Sequence, residues 1–142
     1  MDISLKVFQP SDYDAAIALW HTSSTPINTS DERGPIERFL QRNEGLSYAA
    51  YQGHALVGTI LCGHDGRRGF IHHLVVSPAC KRRGVGKQLL HAGLAGLQAQ
   101  AIPMCHVLVF KTNAQGLGFW AAVSAKQRDE FALFSLETGV AR

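Results

Sequence analysis

The stretch FIHHLVVSPACKRRGVGKQLL, residues 70 to 90, decides the fold that this sequence can adopt. Its first seven residues are mostly apolar and β-branched, which is typical of a buried strand. Proline at position 78 ends that strand, because proline cannot donate to a sheet ladder. A basic segment with two glycines then leads into a helical pattern. Its leucines recur at spacings that place them on one face of a helix: Leu89, Leu90, Leu94 and Leu97.

The junction between this strand and this helix has the chemistry of an anion site. The first amides of a helix have no acceptor within the helix and carry the positive end of its dipole. Glycines let an anion approach the backbone, and positive charge comes from Lys81, Arg82, Arg83 and Lys87. The Walker A pattern does not fit this segment. The G-x-G-x-x-G pattern does not fit either, since Leu89 stands where its third glycine is needed. The alternative interpretation is an ordinary basic, solvated helix start.

Composition predicts one globular domain over residues 1–142. Apolar residues make up 46% of the chain and charged residues 18%, as in ordinary globular proteins. The net charge of +3 is concentrated at residues 81–87, which indicates a local anion ligand rather than a nucleic-acid surface. The three cysteines and seven histidines lack the spacing of a disulfide framework or a metal site. No segment reads as a signal peptide or a membrane span, so we expect a cytoplasmic protein without membrane contact.

Hydrophobic periodicity predicts strands and helices on both sides of this stretch. Strands are expected at 3–7, 46–51, 55–62, 104–110 and 130–136. Helices are expected at about 11–22, from about 30 through Leu40, at 87–100 and at 114–125. The Asp65-Gly66 turn predicts a hairpin that pairs residues 56–62 antiparallel with 70–76. Residues 23–35 read as a polar loop.

The pattern Lys81-x-x-Gly84-x-Gly86, directly after a strand that ends in Val-Ser-Pro, resembles the acyl-CoA loop of the GNAT superfamily of N-acetyltransferases. The resemblance covers about residues 3 to 136, with lysine in place of the usual arginine or glutamine at Lys81. It implies an α/β (α+β) fold with a mixed, mostly antiparallel central sheet, helices on both faces and a splayed central strand pair. It also implies acetyl-CoA as co-substrate, an amine acceptor and no metal. Many relatives pair, so a homodimer fits the resemblance.

The resemblance also implies roles for individual residues. The pyrophosphate of acetyl-CoA would bind the loop formed by Lys81, Arg82, Arg83, Gly84, Val85, Gly86 and Lys87. The pantetheine arm would pair with the backbone of Leu74, Val75 and Val76, and the Val76 N–H would polarise the acetyl oxygen. Asn113 would hydrogen-bond the pantetheine arm or the next helix, and Phe119 and Trp120 would line the coenzyme channel.

Two adjacent histidines are the candidates for the base that accepts the amine proton, because histidine titrates near neutrality. His72 is favoured, since many relatives carry a proton-relaying glutamate at its position. Adjacent strand residues point to opposite faces, so we expect only one of the two to face the substrate, with His72 sharing its face with Leu74 and Val76. The alternatives are His73 as base, or two structural histidines with water accepting the proton.

The predicted function is transfer of an acetyl group from acetyl-CoA to a primary amine of a small molecule or protein. Relatives usually carry a tyrosine acid where this chain has Trp120, whose indole N–H cannot act as an acid near neutral pH. This difference motivates the alternative, a CoA-binding module with little or no turnover. A third hypothesis, a nucleotide-phosphate domain, predicts a parallel βαβ order, whereas here a hairpin precedes the loop. By the resemblance, residues 23–35 cover the acceptor site.

Overall fold

A computed structural model describes residues 2–141 of the chain. The chain divides into two compact units, the first ending at Leu108 and the second beginning at Val109. The first unit contains the whole sheet, and the second contains one helix followed by a segment without helix or strand. The single acyltransferase domain over residues 1–142 stays a prediction.

Five strands form one sheet in the order β1-β2-β3-β4-β5. They are β1 (Ile3–Val7), β2 (Tyr48–Gln52), β3 (Ala55–His64), β4 (Gly69–Val76) and β5 (Cys105–Val107). The first four pair antiparallel and β5 runs parallel to β4. The predicted hairpin is confirmed: the Asp65 carboxylate accepts hydrogen bonds from the amides of Arg67 and Arg68, both at 2.9 Å, and so closes the turn.

Four helices accompany the sheet: α1 (Tyr13–Trp20), α2 (Arg33–Arg42), α3 (Val85–Ala99) and α4 (Ala114–Ala122). Short 3-10 turns stand at Pro10–Asp12, Thr29–Asp31 and Pro78–Cys80.

Helices α1 and α3 lie on opposite faces of β3. On the α1 face, the Trp20 indole N–H donates to the Thr59 hydroxyl at 2.9 Å. On the other face, a Cβ at Gly58 would lie 3.0 Å from Leu89 of α3. Neighbouring strand residues point to opposite faces, so each helix covers one side of the sheet. The predicted mixed, mostly antiparallel fold with helices on both faces is therefore confirmed.

Glycines in α3 allow this helix to approach the sheet closely. A Cβ at Gly93 would lie 3.2 Å from Ile60 Cδ1, and one at Gly96 would lie 2.7 Å from Leu46 Cδ2. Three of the four helix leucines are buried, but Leu94 is 39% exposed. The predicted apolar face is thus narrower than the leucine spacing indicates.

The predicted strand over 130–136 is wrong, because the described structure has no strand there. Its apolar side chains are 68% to 95% exposed: Phe131, Leu133, Phe134 and Leu136. Alternating sequence forms a strand only where a neighbouring strand and a buried face are present, and this segment has neither. The strand predicted at 104–110 is shortened to β5. The splaying pair β4–β5 therefore lies at the edge of the five-stranded sheet rather than at its centre.

Across the described residues, no helix is long and apolar enough to cross a membrane.

Candidate active site

A β-bulge in β4 determines where its two histidines point. Thr59 of β3 stands opposite Val75, and Leu61 stands opposite His72, so β4 contains one residue more than β3 over this interval. The bulge coincides with a left-handed backbone at His73, where φ is +45°. Inserting one residue shifts the alternation of side chains beyond it.

Both histidines consequently lie on the α1–α2 face of the sheet. His72 is opposite Leu61, which belongs to the core around Trp20, and the His73 ring stacks on Trp20 itself. Val76 instead is opposite Gly58 on the α3 face. The prediction that only one histidine faces this side, and that His72 shares its face with Val76, is wrong because the bulge interrupts the period of two.

His73 is held from two sides by contacts distant in sequence. Its ring lies parallel to the Trp20 indole, with centroids 4.1 Å apart and an angle of 11°. Its Nε2 lies 2.7 Å from Asp31 Oδ1, and the two side chains are only 7% and 8% exposed. The other carboxylate oxygen of Asp31 accepts the Asn28 amide at 3.0 Å, which attaches the 3-10 turn after α1 to the bulge. His73 Nδ1 is buried without a hydrogen-bond partner in the described structure, so this ring is not free to exchange protons with solvent.

His72 has different surroundings. It is exposed to solvent, yet the edge of Phe39 lies 5.8 Å away and Phe70 stacks on it at 6.4 Å, centroid to centroid. Desolvation lowers the pKa of His72, the neighbouring His73 lowers it further, and Asp31 partly opposes the shift. A solvent-accessible, neutral imidazole can accept a proton at neutral pH, as a base requires.

The second half of β4 presents an open backbone edge. Pairing with β5 ends at Ile71 opposite Val107, and within the described residues no strand pairs with His72 to Val76 on the side away from β3. The Ser77 N–H donates to the Val57 carbonyl of β3 at 2.7 Å. Because successive N–H groups along a strand alternate in direction, the Val76 N–H points away from β3, toward the open edge. An extended ligand could therefore pair with the backbone at Leu74, Val75 and Val76.

The loop before α3 concentrates backbone amides and positive charge. Arg82 and Gly84 both adopt left-handed backbone, with φ of +66° and +80°. The first hydrogen bond of α3 runs from the Gln88 amide to the Gly84 carbonyl, so residues 85–87 keep amides without a backbone acceptor anywhere in residues 2–141. The cationic residues Lys81, Arg82, Arg83 and Lys87 are exposed. Alternating left-handed residues before a helix form a concave set of N–H groups that suits an anion.

Val85 and Gly84 shape this loop in different ways. The Val85 side chain is 1% exposed and packs beneath Gly58, so only the Val85 backbone is available to a ligand. Gly84 faces open space, but its left-handed φ makes any side chain strained. The basic segment precedes α3 as the sequence predicts, but α3 begins at Val85 rather than at Lys87. Binding of pyrophosphate by this loop stays a prediction.

In the second unit, Asn113 caps α4. Its Oδ1 accepts the Gly116 amide at 2.9 Å, which is the helix contact that the sequence offered as one alternative. A Cβ at Gly116 would lie 2.5 Å from Asn113 Nδ2, so the cap also requires this glycine. Phe119 and Trp120 are half-buried and meet edge to face, with centroids 5.2 Å apart.

Three residues of this site were missed as functional candidates in the sequence. Asp31 reads only as a helix start, Trp20 as a core residue and Phe70 as part of a strand. Asp31 and Trp20 contact His73 from 42 and 53 positions away in the sequence. Phe70 contacts His106, which is 36 positions away. Nothing in the local pattern reports such contacts. Among the residues that the structure describes, no three His, Cys, Asp or Glu side chains are grouped so as to hold a metal ion.

The known proteins that this chain resembles in sequence or in fold are acetyltransferases. A model of the acetyltransferase (GNAT) family matches residues 14–123. An acetyltransferase of Yersinia enterocolitica is 28% identical over 131 residues, which cover 92% of this chain and 93% of the relative. The PaiA N-acetyltransferase of Thermoplasma acidophilum, solved in complex with coenzyme A, has a TM-score of 0.76 at 17% identity, over 87% of this chain and 89% of that chain. AAC(6')-Iy in complex with the bisubstrate analogue CoA-S-monomethyl-acetylneamine has a TM-score of 0.78 at 14% identity, over 96% and 99% of the two chains.

Proposed function

Because this chain belongs to the GNAT family of acetyl-CoA-dependent acetyltransferases, we propose that it acetylates a primary amine of a small molecule or protein. Acetyl-CoA is the co-substrate of the family, and two structural neighbours hold coenzyme A or a coenzyme A analogue. The observation that carries the proposal is the continuity of two features in the first unit. The open edge of β4 at 72–76 leads through one 3-10 turn to the amides of residues 85–87, which have no backbone acceptor among residues 2–141.

We assign the pyrophosphate to the loop at 81–87. The amides of Val85, Gly86 and Lys87 supply hydrogen-bond donors at the positive end of the α3 dipole, and the exposed cations lower the energy of two adjacent negative charges. The pantetheine arm, which carries amide groups, would extend along Leu74 to Val76 as an added strand. This assignment places the thioester close to the bulge.

The chemical step follows from the groups at the bulge. The amine nitrogen attacks the thioester carbon, a C–N bond forms, and the negative charge that develops on the oxygen is stabilised by the Val76 N–H. His72 accepts the proton that the nitrogen loses, and the C–S bond then breaks to release coenzyme A as a thiolate. A thiol pKa of about 8.5 makes this thiolate a good leaving group even without an acid. In this proposal the thiolate leaves without a side-chain acid at position 120.

His72 is preferred over His73 as the base. His72 is exposed, whereas the His73 side chain is 7% exposed and its Nε2 is engaged by Asp31. The resemblance-based roles of Asn113, Phe119 and Trp120 toward the coenzyme, and the formation of a homodimer, stay predictions.

The alternative function is a CoA-binding module with little or no turnover, and Trp120 in place of the usual tyrosine favours it. The two functions differ in one measurement. An acetyltransferase releases thiol from acetyl-CoA when amines are added, whereas a binding module retains acetyl-CoA without releasing thiol.

The coenzyme assignment is tested by calorimetric titration of acetyl-CoA into wild type, Gly84→Glu and Gly84→Ala. The glutamate places a negative charge where the pyrophosphate would bind, so we expect its affinity to fall by about 100-fold or more. The alanine variant is the matched control, since it has the same left-handed strain without the charge, and we expect a loss of less than about tenfold. A folded wild type that does not bind acetyl-CoA would refute the assignment.

A further inference from the structure

An aromatic patch surrounds the exposed histidine on the α1–α2 face of the sheet. The patch consists of Phe39 of α2, Phe70 and His72 of β4, and His106 of β5. Phe70 stacks on His72 with an interplanar angle of 13° and lies 5.7 Å from the His106 ring. Phe39 meets His72 edge to face at 81°. Three elements of the first unit therefore build one aromatic surface around His72.

The centre of this patch is accessible to a ligand. Phe70 is 38% exposed although it lies on a strand of the main sheet, and His72 beside it is also exposed. Its neighbours at 69 and 71 are buried, so the backbone that holds Phe70 is fixed. An exposed aromatic ring on a rigid strand offers a stacking surface at little entropic cost to the protein.

The charges around the patch disfavour an acceptor with several ammonium groups. The Asp31 carboxylate is buried against His73, Glu37 of α2 lies 3.9 Å from Arg33, and the Asp65 carboxylate accepts the amides of its own turn. The adjoining elements carry exposed cations at Arg38 and Arg42 of α2 and at Arg67 and Arg68 of the β3–β4 turn. A polyamine would need several free carboxylates, and these three are each engaged by another group.

We infer that the acceptor is an arylalkyl monoamine, whose aromatic ring lies against Phe70 while its amine is presented to His72. This inference rests on the proposed function, because it names the substrate class of that same site. Aromatic rings pack favourably at centroid separations of about 4.5–7 Å, and the patch leaves one such surface open on Phe70. The amine loses its proton to His72 and forms the C–N bond at the thioester carbon, while the thiolate leaves.

The experiment compares 2-phenylethylamine, ethylamine and spermidine as acceptors, with release of the coenzyme A thiol as the readout. The first two differ only by the phenyl ring. We expect kcat/KM for 2-phenylethylamine to exceed that for ethylamine and for spermidine by about tenfold or more, from the stacking contact and apolar burial.

Variants at Phe70 test whether the aromatic patch causes the preference for 2-phenylethylamine over ethylamine. Because Phe70 also stacks on His72, Phe70→Ala should lower kcat/KM for both amines, but the loss for 2-phenylethylamine should be about tenfold larger than the loss for ethylamine. Phe70→Leu keeps most of the apolar volume and should lose part of the preference, which provides a second measurement if the alanine variant folds poorly. Leu94→Ala is the matched control, because Leu94 is an apolar side chain of nearly equal exposure, 39%, on α3 of the other face.

The outcomes separate this inference from the function on which it rests. Ethylamine or spermidine accepted as well as 2-phenylethylamine would overturn the inference and keep the acetyltransferase assignment. A preference that Phe70→Ala and Leu94→Ala reduce equally would also overturn it. Thiol release by none of the three amines, despite tight binding of acetyl-CoA, would overturn the inference. The proposed function is overturned in favour of the binding module only if protein amines also release no thiol.

Discussion

His72 and His73 are neighbours in sequence, but the β4 bulge gives their imidazoles different chemistry. His72 is exposed between two phenylalanine rings, while His73 is enclosed between Trp20 and Asp31. A base must meet both substrate and solvent, since it passes on the proton that it accepts. Of the two, only His72 is exposed, so it is the histidine that we propose as the base.

Substitution of His72 should affect catalysis and its pH dependence together. We expect His72→Gln to lower kcat by about 100-fold, because glutamine cannot accept the amine proton. In wild type, desolvation and His73 lower the pKa of His72, so protonation should abolish the base only below its ordinary value of 6.5. The pH profile of kcat/KM should therefore show a base-dependent decrease below pH 6.5 that His72→Gln lacks.

His91→Gln is the control for this profile, since His91 is an exposed histidine of α3. Its profile should match wild type. If His72→Gln retained both the rate and the acidic decrease, water or another group would be the base.

The same lowered pKa affects stability. A histidine whose pKa is lowered by folding binds its proton more readily in the unfolded state. As pH falls through the unfolded pKa of about 6.5, the unfolded state therefore binds more protons than the folded state. Its contribution to stability is thus complete above that pH and decreases below it. Between pH 7 and pH 5, wild type should lose more unfolding free energy than His72→Gln, as measured by urea titration at each pH. An equal loss in the two proteins would contradict the shift.

The Asp31–His73 pair should contribute to stability more than its exposed neighbours. Asp31→Ala leaves the buried His73 Nε2 and the Asn28 amide without their acceptor, so we expect a loss of about 2–3 kcal/mol in unfolding free energy. Asp31→Asn keeps one acceptor oxygen and should lose less. Glu32→Ala, at an exposed adjacent residue whose side chain makes no cap, should change it by less than about 0.5 kcal/mol. Urea denaturation checks all three, and equal midpoints for Asp31→Ala and Glu32→Ala would contradict the prediction.

At the scale of elements, α3 ends in a Schellman motif without glycine. The Ile102 amide donates to the Leu97 carbonyl and the Ala101 amide to the Gln98 carbonyl, both at 3.0 Å. Ala101 has a left-handed φ of +61°, a conformation that an L side chain adopts at a cost. This helix end directs the chain into β5, the strand whose pairing with β4 ends at Ile71.

Ala101→Gly should raise the unfolding free energy by about 1 kcal/mol, because glycine adopts this φ without strain. The control is Ala99→Gly, at the last residue of α3, where glycine should lower it by about 1 kcal/mol. Opposite shifts of the thermal midpoint are the expected result. Destabilisation by both glycines would show that the left-handed strain at Ala101 is negligible.

At the scale of the whole molecule, apolar burial is unevenly distributed along the chain. The first unit contains all the fully buried large side chains of the described residues, such as Trp20, Ile60 and Leu89. The segment from 126 to 141 consists of exposed residues, including Phe134 at 88% and Leu136 at 95%. Folding stability should therefore depend on the buried side chains of the first unit and not on the exposed segment 126–141.

Leu89→Ala should lower the unfolding free energy by about 2–5 kcal/mol, because it removes a fully buried side chain from between α3 and β3. Phe134→Ser removes a larger side chain but should change it by less than about 0.5 kcal/mol, since little of Phe134 is buried. Guanidinium unfolding measures both. A loss above about 2 kcal/mol for Phe134→Ser would indicate that the segment 130–136 is packed, as a strand would be.

Local patterns predict most of this fold and the position of the basic, glycine-containing loop before α3. The β3–β4 hairpin and the strand–loop–helix unit at 70–90 both follow from turn chemistry and side-chain period, which neighbouring residues define among themselves. The Asn113 cap belongs to the same class, since its partner is three residues away. The strand at 130–136 could not be judged this way, because a strand exists only beside another strand.

The sequence by itself determined the basic loop before α3, the order of the elements and the two histidine candidates for the base. Each of these depends on contacts within about one turn or one hairpin. Only the tertiary structure decided which histidine is exposed. That outcome depends on one inserted residue in the β3–β4 register, on a left-handed φ at His73, and on Trp20 and Asp31, which lie 53 and 42 positions away. The period of two along a strand holds only while the ladder is regular, and a bulge is settled by packing between distant elements.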